Sequence, residues 1–107
     1  MLVLPIDGSR ALLVLAAPAP QYKDRAAGIV ATDRATGAPL VEVPVSLTVE
    51  GGQPQLLRVS VPQPAVPKEL AAGQMVRASQ LVFVSGEKNG RTWQIFRAAS
   101  LTAVKPG

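Results

Sequence analysis

Arg91-Thr92-Trp93-Gln94-Ile95-Phe96-Arg97 holds the only tryptophan of the chain and one of its two phenylalanines, bracketed by arginines. Flat rings stack on nucleobases of any identity, at about 1–3 kcal/mol per base, while guanidinium groups neutralise phosphate. Further cations and a second exposed ring recur along the chain. Tyr22, Lys23 and Arg25 precede the segment 27–31, Arg34 follows it, and Arg58 falls on the polar side of an alternating run. Arg77 and Lys88 join Arg91 and Arg97 in a C-terminal hairpin. Alternation on an extended strand puts Trp93, Ile95 and Arg97 on one side and Gln94, Phe96 and Ala98 on the other. The two rings therefore cannot serve one nucleotide track, and one of them fills the core. For Trp93, stacking and core filling stay equally open, because Ile95 accompanies it. Phe83 lies in an unbroken apolar run and reads as core, whereas Tyr22 has polar neighbours and reads as surface.

Other chemistries find little support. The chain has no Cys and no His, which removes disulfides, Cys/His zinc sites, thiol nucleophiles and imidazole acid–base catalysis. Its seven carboxylates sit beside turns or on alternating polar faces; Glu42 and Glu50 share a face but lie too far apart to act as a pair. Asp24 and Asp33 fall where Asp serves turns. Gly51-Gly52 is a hairpin tip with no Lys-Ser/Thr helix start after it, so it is no phosphate-cradling loop. No enzyme activity, cofactor, metal or small-molecule substrate is expected. The net charge of +4 and a pI near 10.1, with seven Arg among eleven cations, favour a polyanionic partner. The same charge also serves simply to keep a protein soluble. No run approaches the ~20 apolar residues that cross a bilayer. Arg10, the apolar stretch Ala11–Ala17 and the Ala-Pro-Ala after it have the layout of a short signal peptide. Asp7 stands where such a peptide is basic, so the stretch reads as a strand and the protein as cytoplasmic.

These residues need a β framework to hold them. A chain of 107 residues with ten Pro and nine Gly suits one domain of short strands punctuated by turns. Val41, Val43, Val45, Leu47 and Val49 alternate with Glu42, Pro44, Ser46, Thr48 and Glu50, the period of a strand with one buried face. Pro44 marks an edge or a bulge, since it cannot donate to a ladder. Leu57, Val59 and Val61 alternate with Arg58 and Ser60, which completes a hairpin across Glu50–Pro54. Strands are also expected over 11–17, 27–31, 76–84, 91–98 and 101–104, with Gln21–Arg25 as a charged connector. Asp7-Gly8, 32–37 and 85–90 read as turns. Residues 1–10 form an N-terminal extension or an extra strand, and 105–107 a frayed end. Pro62–Pro67 crosses over, and Lys68–Ala72 forms one or two helical turns stopped by Gly73. An all-β chain with a short helix between its third and fourth barrel strands matches the five-stranded Greek-key OB-fold, whose helix plugs the barrel. SH3-like barrels and small sandwiches fit the strand count as well.

The chain resembles small single-domain OB-fold proteins that bind single-stranded DNA, of the kind carried by bacterial plasmids, phages and integrative elements. The resemblance is one of pattern over residues 11–104. It rests on Tyr22-Lys23-Asp24-Arg25 leading into a strand, the hairpin 41–61, Leu70-Ala71-Ala72-Gly73 with Val76 and Arg77, and Arg91–Phe96. It implies sequence-tolerant binding of single strands during replication or transfer, through Tyr22, Lys23, Arg25, Arg34, Arg58, Arg77, Lys88, Arg91, Trp93 and Arg97. It also implies a homodimer or larger homo-oligomer, without membrane association. A protein-interaction barrel and a subunit of a surface assembly are the other classes the composition permits.

Overall fold

A computed structural model describes residues 2–6, 11–48 and 52–104. The strands are β1 (Leu2–Pro5), β2 (Leu12–Val14), β3 (Ala19–Pro20), β4 (Tyr22–Asp24), β5 (Ile29–Val30), β6 (Leu40–Leu47), β7 (Gln55–Pro62), β8 (Met75–Ser79), β9 (Val82–Lys88), β10 (Arg91–Arg97) and β11 (Ser100–Ala103). One 3-10 turn, Gln63–Ala65, is the only helical element among the described residues. The fold is all-β, an OB-like barrel. Asp7-Gly8, Val49 and the C-terminal Lys105-Pro106-Gly107, to which the sequence assigns turns, a strand end and a frayed terminus, lie outside the described residues.

Several of the eleven pieces are halves of longer bent strands. β9 pairs with β10 and β8 with β11 in one continuous antiparallel register, from Arg91↔Lys88 down to Ala103↔Val76. The strand expected over 76–84 is thus broken at Gln80-Leu81. Gln80 takes a left-handed φ of 54° there, and the bend lets the two halves meet different neighbours. β1 runs along β9 and β2 along β8, both antiparallel, so the N-terminal segment flanks the same bent strand. β2 also pairs with β6, β6 with β7, and β7 with β10 in parallel. The ladder thereby curls back to the chain it left. Counted as long strands, the order is first, second, third, fifth, fourth, first, with a parallel third–fifth pair.

The core is built from the side of β6 and β7 that periodicity assigns to it. Val43, Val45, Val59 and Val61 are fully buried and meet Leu12, Val14, Val76 and Leu101 from the opposite wall. Burying each such side chain contributes about 1.5–3 kcal/mol, and β-branched valines suit the pleated surface. Pro44 nevertheless sits inside a paired strand. Its carbonyl accepts from Leu15 N–H at 2.9 Å. In an antiparallel ladder a residue's N–H and C=O point the same way, so its missing donor faces the gap where β2 leaves β6 and β3 begins.

The helix expected over Lys68–Ala72 does not form. Pro62 and Val66, the latter held at φ −107° and ψ 137° directly before Pro67, are extended on either side of the Gln63–Ala65 turn, and five residues are too few to nucleate a helix unaided. Gly73 does adopt a left-handed φ of 92°, but its N–H donates to the Val14 carbonyl at 2.8 Å rather than ending a helix. Leu70, 4% exposed, enters the core where the plug belongs.

Candidate nucleic-acid interface

The expected loop over Ser85–Gly90 is much shorter than its composition suggests. Ser85–Lys88 extend β9, and only Asn89-Gly90 turn, both at left-handed φ (53° and 75°), which is the two-residue hairpin closure that matches strand twist. β9 and β10 therefore form a regular ribbon carrying Lys88 and Arg91 side by side next to its tip.

Register decides which ring is free. Phe96 lies opposite Phe83 and beside Val59, packs against the core, and its ring stands 5.3 Å from that of Phe83. Both phenylalanines are half-buried on the inner side, Phe96 against the core and Phe83 against Phe96. Trp93 points to the other, outer side with Arg91, Ile95 and Arg97. Its cross-strand partner is Gly86, and a Cβ built on Gly86 would meet the indole Cζ2 at 2.4 Å. The ring thus rests on bare backbone, a space that any other residue would fill, and stays 37% exposed. Beside it the outer row Val3–Val84–Ile95 buries Val84 to 2%. The ring is anchored by the ribbon and open to solvent.

β7 supplies the adjoining surface. Arg58 faces outward and Ser60 shares its side, next to Arg97 on β10 and Glu42 on β6. Ser60 is not a wet residue as alternation suggests: it is 4% exposed, because Gln21 covers it and accepts its hydroxyl hydrogen bond. β10 pairs with β7 only at Phe96 and Arg97 and then parts from it toward the hairpin tip. The separation leaves a cleft of about 210 Å³ lined by Gln21, Glu42, Arg58, Ser60 and the Gln94–Phe96 stretch of β10.

Gln21, which lines this cleft, is the root of an arm. The charged connector expected over Gln21–Arg25 is largely strand: β4 pairs with β5, with Lys23 the extra residue of a bulge between Tyr22 and Asp24. The strand expected over 27–31 shrinks accordingly to Ile29–Val30. Asp24 closes the arm's turn by accepting from Ala27 N–H at 3.2 Å, and Asp33 accepts from the Thr36 hydroxyl at 2.8 Å in the next turn, beside exposed Arg34. Tyr22 is 40% exposed, as its neighbours suggest, with the Arg25 guanidinium 5.6 Å from its ring centre.

Of the sequence candidates, Arg58, Arg91, Trp93, Arg97 and Lys88 therefore share the outer surface of β7, β9 and β10, and Tyr22, Lys23 and Arg25 stand on the arm whose root borders it. Arg34 occupies a separate turn. Arg77 is apart from all of them. It faces out from β8, between β2 and β11, on the opposite wall. Gln21, Ser60, Glu42 and Gln94 are the residues that sequence reading does not single out for binding. Their only local signal is polarity within strands. A larger cleft of about 620 Å³, lined by Pro18, Pro20, Pro39, Pro64 and Pro67, carries charge only at Lys68 and Glu69. Among the described residues no three His, Cys, Asp or Glu side chains cluster as metal ligands, and no helix is long and apolar enough to cross a membrane. The chain matches no family model and no curated protein.

Proposed function

We propose that the protein binds single-stranded DNA without strong sequence selection, across the outer surface of β7, β9 and β10. The observation that carries this reading is Trp93, seated against Gly86 and 37% exposed between Arg91 and Arg97, with Arg58 on the neighbouring strand. A fixed ring flanked by cations is what stacking combined with phosphate neutralisation requires. OB-folds bind oligonucleotides on the second and third barrel strands, between the first-hairpin loop and the loop joining the last two strands; β7 is the third strand here, and the proposed surface extends from it onto the fourth and fifth. The arm bearing Tyr22, Lys23 and Arg25 and the tip bearing Lys88 and Arg91 stand in those two places. On this reading the protein acts in the cytoplasm of a bacterium, on strands exposed during replication or transfer of mobile DNA.

A second reading has its own observation. β1 is an edge strand whose Leu2, Val3 and Leu4 are all exposed, and such an edge pairs readily with another chain. We assign the expected self-association to it; the alternative is a protein-interaction barrel that meets an unrelated partner there. Anisotropy titration of a labelled oligo-dT, with matched duplex as competitor, separates the two. Binding that duplex fails to displace is expected. Absence of binding at low salt leaves the protein-interaction barrel.

A further inference from the structure

We propose that the cleft between β7 and β10 is a nucleobase pocket that prefers guanine, an inference that rests on the single-strand reading above. The cleft's charge argues for a base rather than a phosphate. Glu42 lines it together with Arg58, and Glu42 lies across from Ser60, whose other neighbour is Arg97. A carboxylate repels phosphate, so a surface that only followed the backbone gains nothing from an acid at this place. Among the described residues no ion pair within 4.0 Å engages Glu42 or Arg58, which leaves both groups available to a ligand that offers donors and acceptors together.

Base edges are such ligands. Guanine alone presents two adjacent donors on different atoms, N1–H and the N2 amino group, which fit the two oxygens of one carboxylate. Its O6 and N7 accept from a guanidinium in the most frequent specific base contact of arginine. Cytosine, adenine and thymine each offer a carboxylate a single donor atom along an edge. The rest of the cleft agrees with a planar guest. Ile95 and Phe96 give it apolar surface and the Ser60–Gln21 hydrogen bond closes its floor. Gln94 adds an amide, and beyond Phe96 the β7-facing edge of β10 is unpaired, so backbone donors and acceptors face the space. A volume of about 210 Å³ is below the ~300–1,000 Å³ of drug-sized pockets and suits one ring system. Trp93 adjoins Gln94 in the chain and offers the next base its exposed face. Backbone tracking and a guanine pocket then work on one strand of DNA.

The test uses the full chain and two labelled oligonucleotides of equal length, oligo-dT and oligo-dT with isolated guanines, read by anisotropy and by quenching of Trp93, the only tryptophan. The guanine oligonucleotide is expected to bind about tenfold more tightly, the discrimination of a good bidentate contact. Inosine in place of guanine, which lacks the N2 amino group, is expected to lose most of that gain. Glu42→Gln is expected to bring the guanine oligonucleotide down to the affinity of oligo-dT. Equal affinities, or a preference that survives Glu42→Gln, overturn the pocket while salt-sensitive binding of oligo-dT keeps the interface. Failure of both oligonucleotides to bind at low salt overturns the pocket and the single-strand reading beneath it.

Discussion

Gly86 has a role that its type alone does not suggest. Glycine inside a strand usually weakens it, yet here its missing side chain is the seat of the indole, whose Cζ2 lies 2.4 Å from where a Cβ would be. Gly86→Ala forces the ring to move. The expected cost is about 1–3 kcal/mol, typical of overpacking, equivalent to a fall in melting temperature of roughly 4–8 °C per kcal/mol for a domain near this size. Two readouts accompany it in the folded variant: red-shifted tryptophan emission, and weaker binding of oligo-dT with an unchanged salt slope. Weaker binding with unaltered emission would mean that the ring never moved, and the platform would have to be abandoned. Phe96, three residues along the same strand, needs no such seat, because register turns it toward Phe83 and Val59.

At the scale of elements, the β9–β10 ribbon determines how far the cations reach. Its closure uses two left-handed residues, Asn89 and Gly90. Asn tolerates that conformation, while a residue with a Cβ at position 90 costs about 1–2 kcal/mol. Gly90→Ala should lower the unfolding free energy measured by urea denaturation by that amount, and an unchanged midpoint would show that the ribbon ends in some other turn. The expectation of a six-residue loop over 85–90 fails for a physical reason. Ser85, Gly86, Glu87 and Lys88 are poor strand formers taken singly, but each has a cross-strand partner on β10, and Trp93 covers the weakest of them. The missing helix at Lys68–Ala72 is the converse case: local signals favour it, and the prolines before it together with a single buried leucine displace it.

For the molecule as a whole, the barrel turns a roughly even spread of arginines along the chain into two walls. Arg58, Arg91 and Arg97 face one way; Arg77 faces the other. Net charge alone would make all of them equivalent. The proposed interface does not, so Arg97→Ala should weaken oligo-dT binding and flatten its salt dependence while Arg77→Ala leaves both nearly as they were. Equal losses from the two would point to a diffuse charge effect. With about 0.7 logarithmic units of affinity per phosphate contact and logarithm of salt, four contacts give a slope near 2.8, and a fourfold rise in salt weakens binding roughly fiftyfold. A slope near zero would leave stacking without phosphate contact and count against a strand lying along these cations.

Much of the framework is legible from residue order, because it rests on local rules. Alternating valines mark β6 and β7, and the lack of Cys and His excludes whole classes of chemistry. Those features depend on the period of a strand and on what a side chain can do. The site depends on long-range contacts instead. Ser60 is buried because Gln21, 39 residues away, closes over it; Trp93 is surface because Gly86 lies opposite; Arg77 is excluded because its strand pairs with β2 and β11. Alternation shows that two residues share a face of a strand, and only the pairing of distant strands decides whether that face meets the core, a neighbour or water.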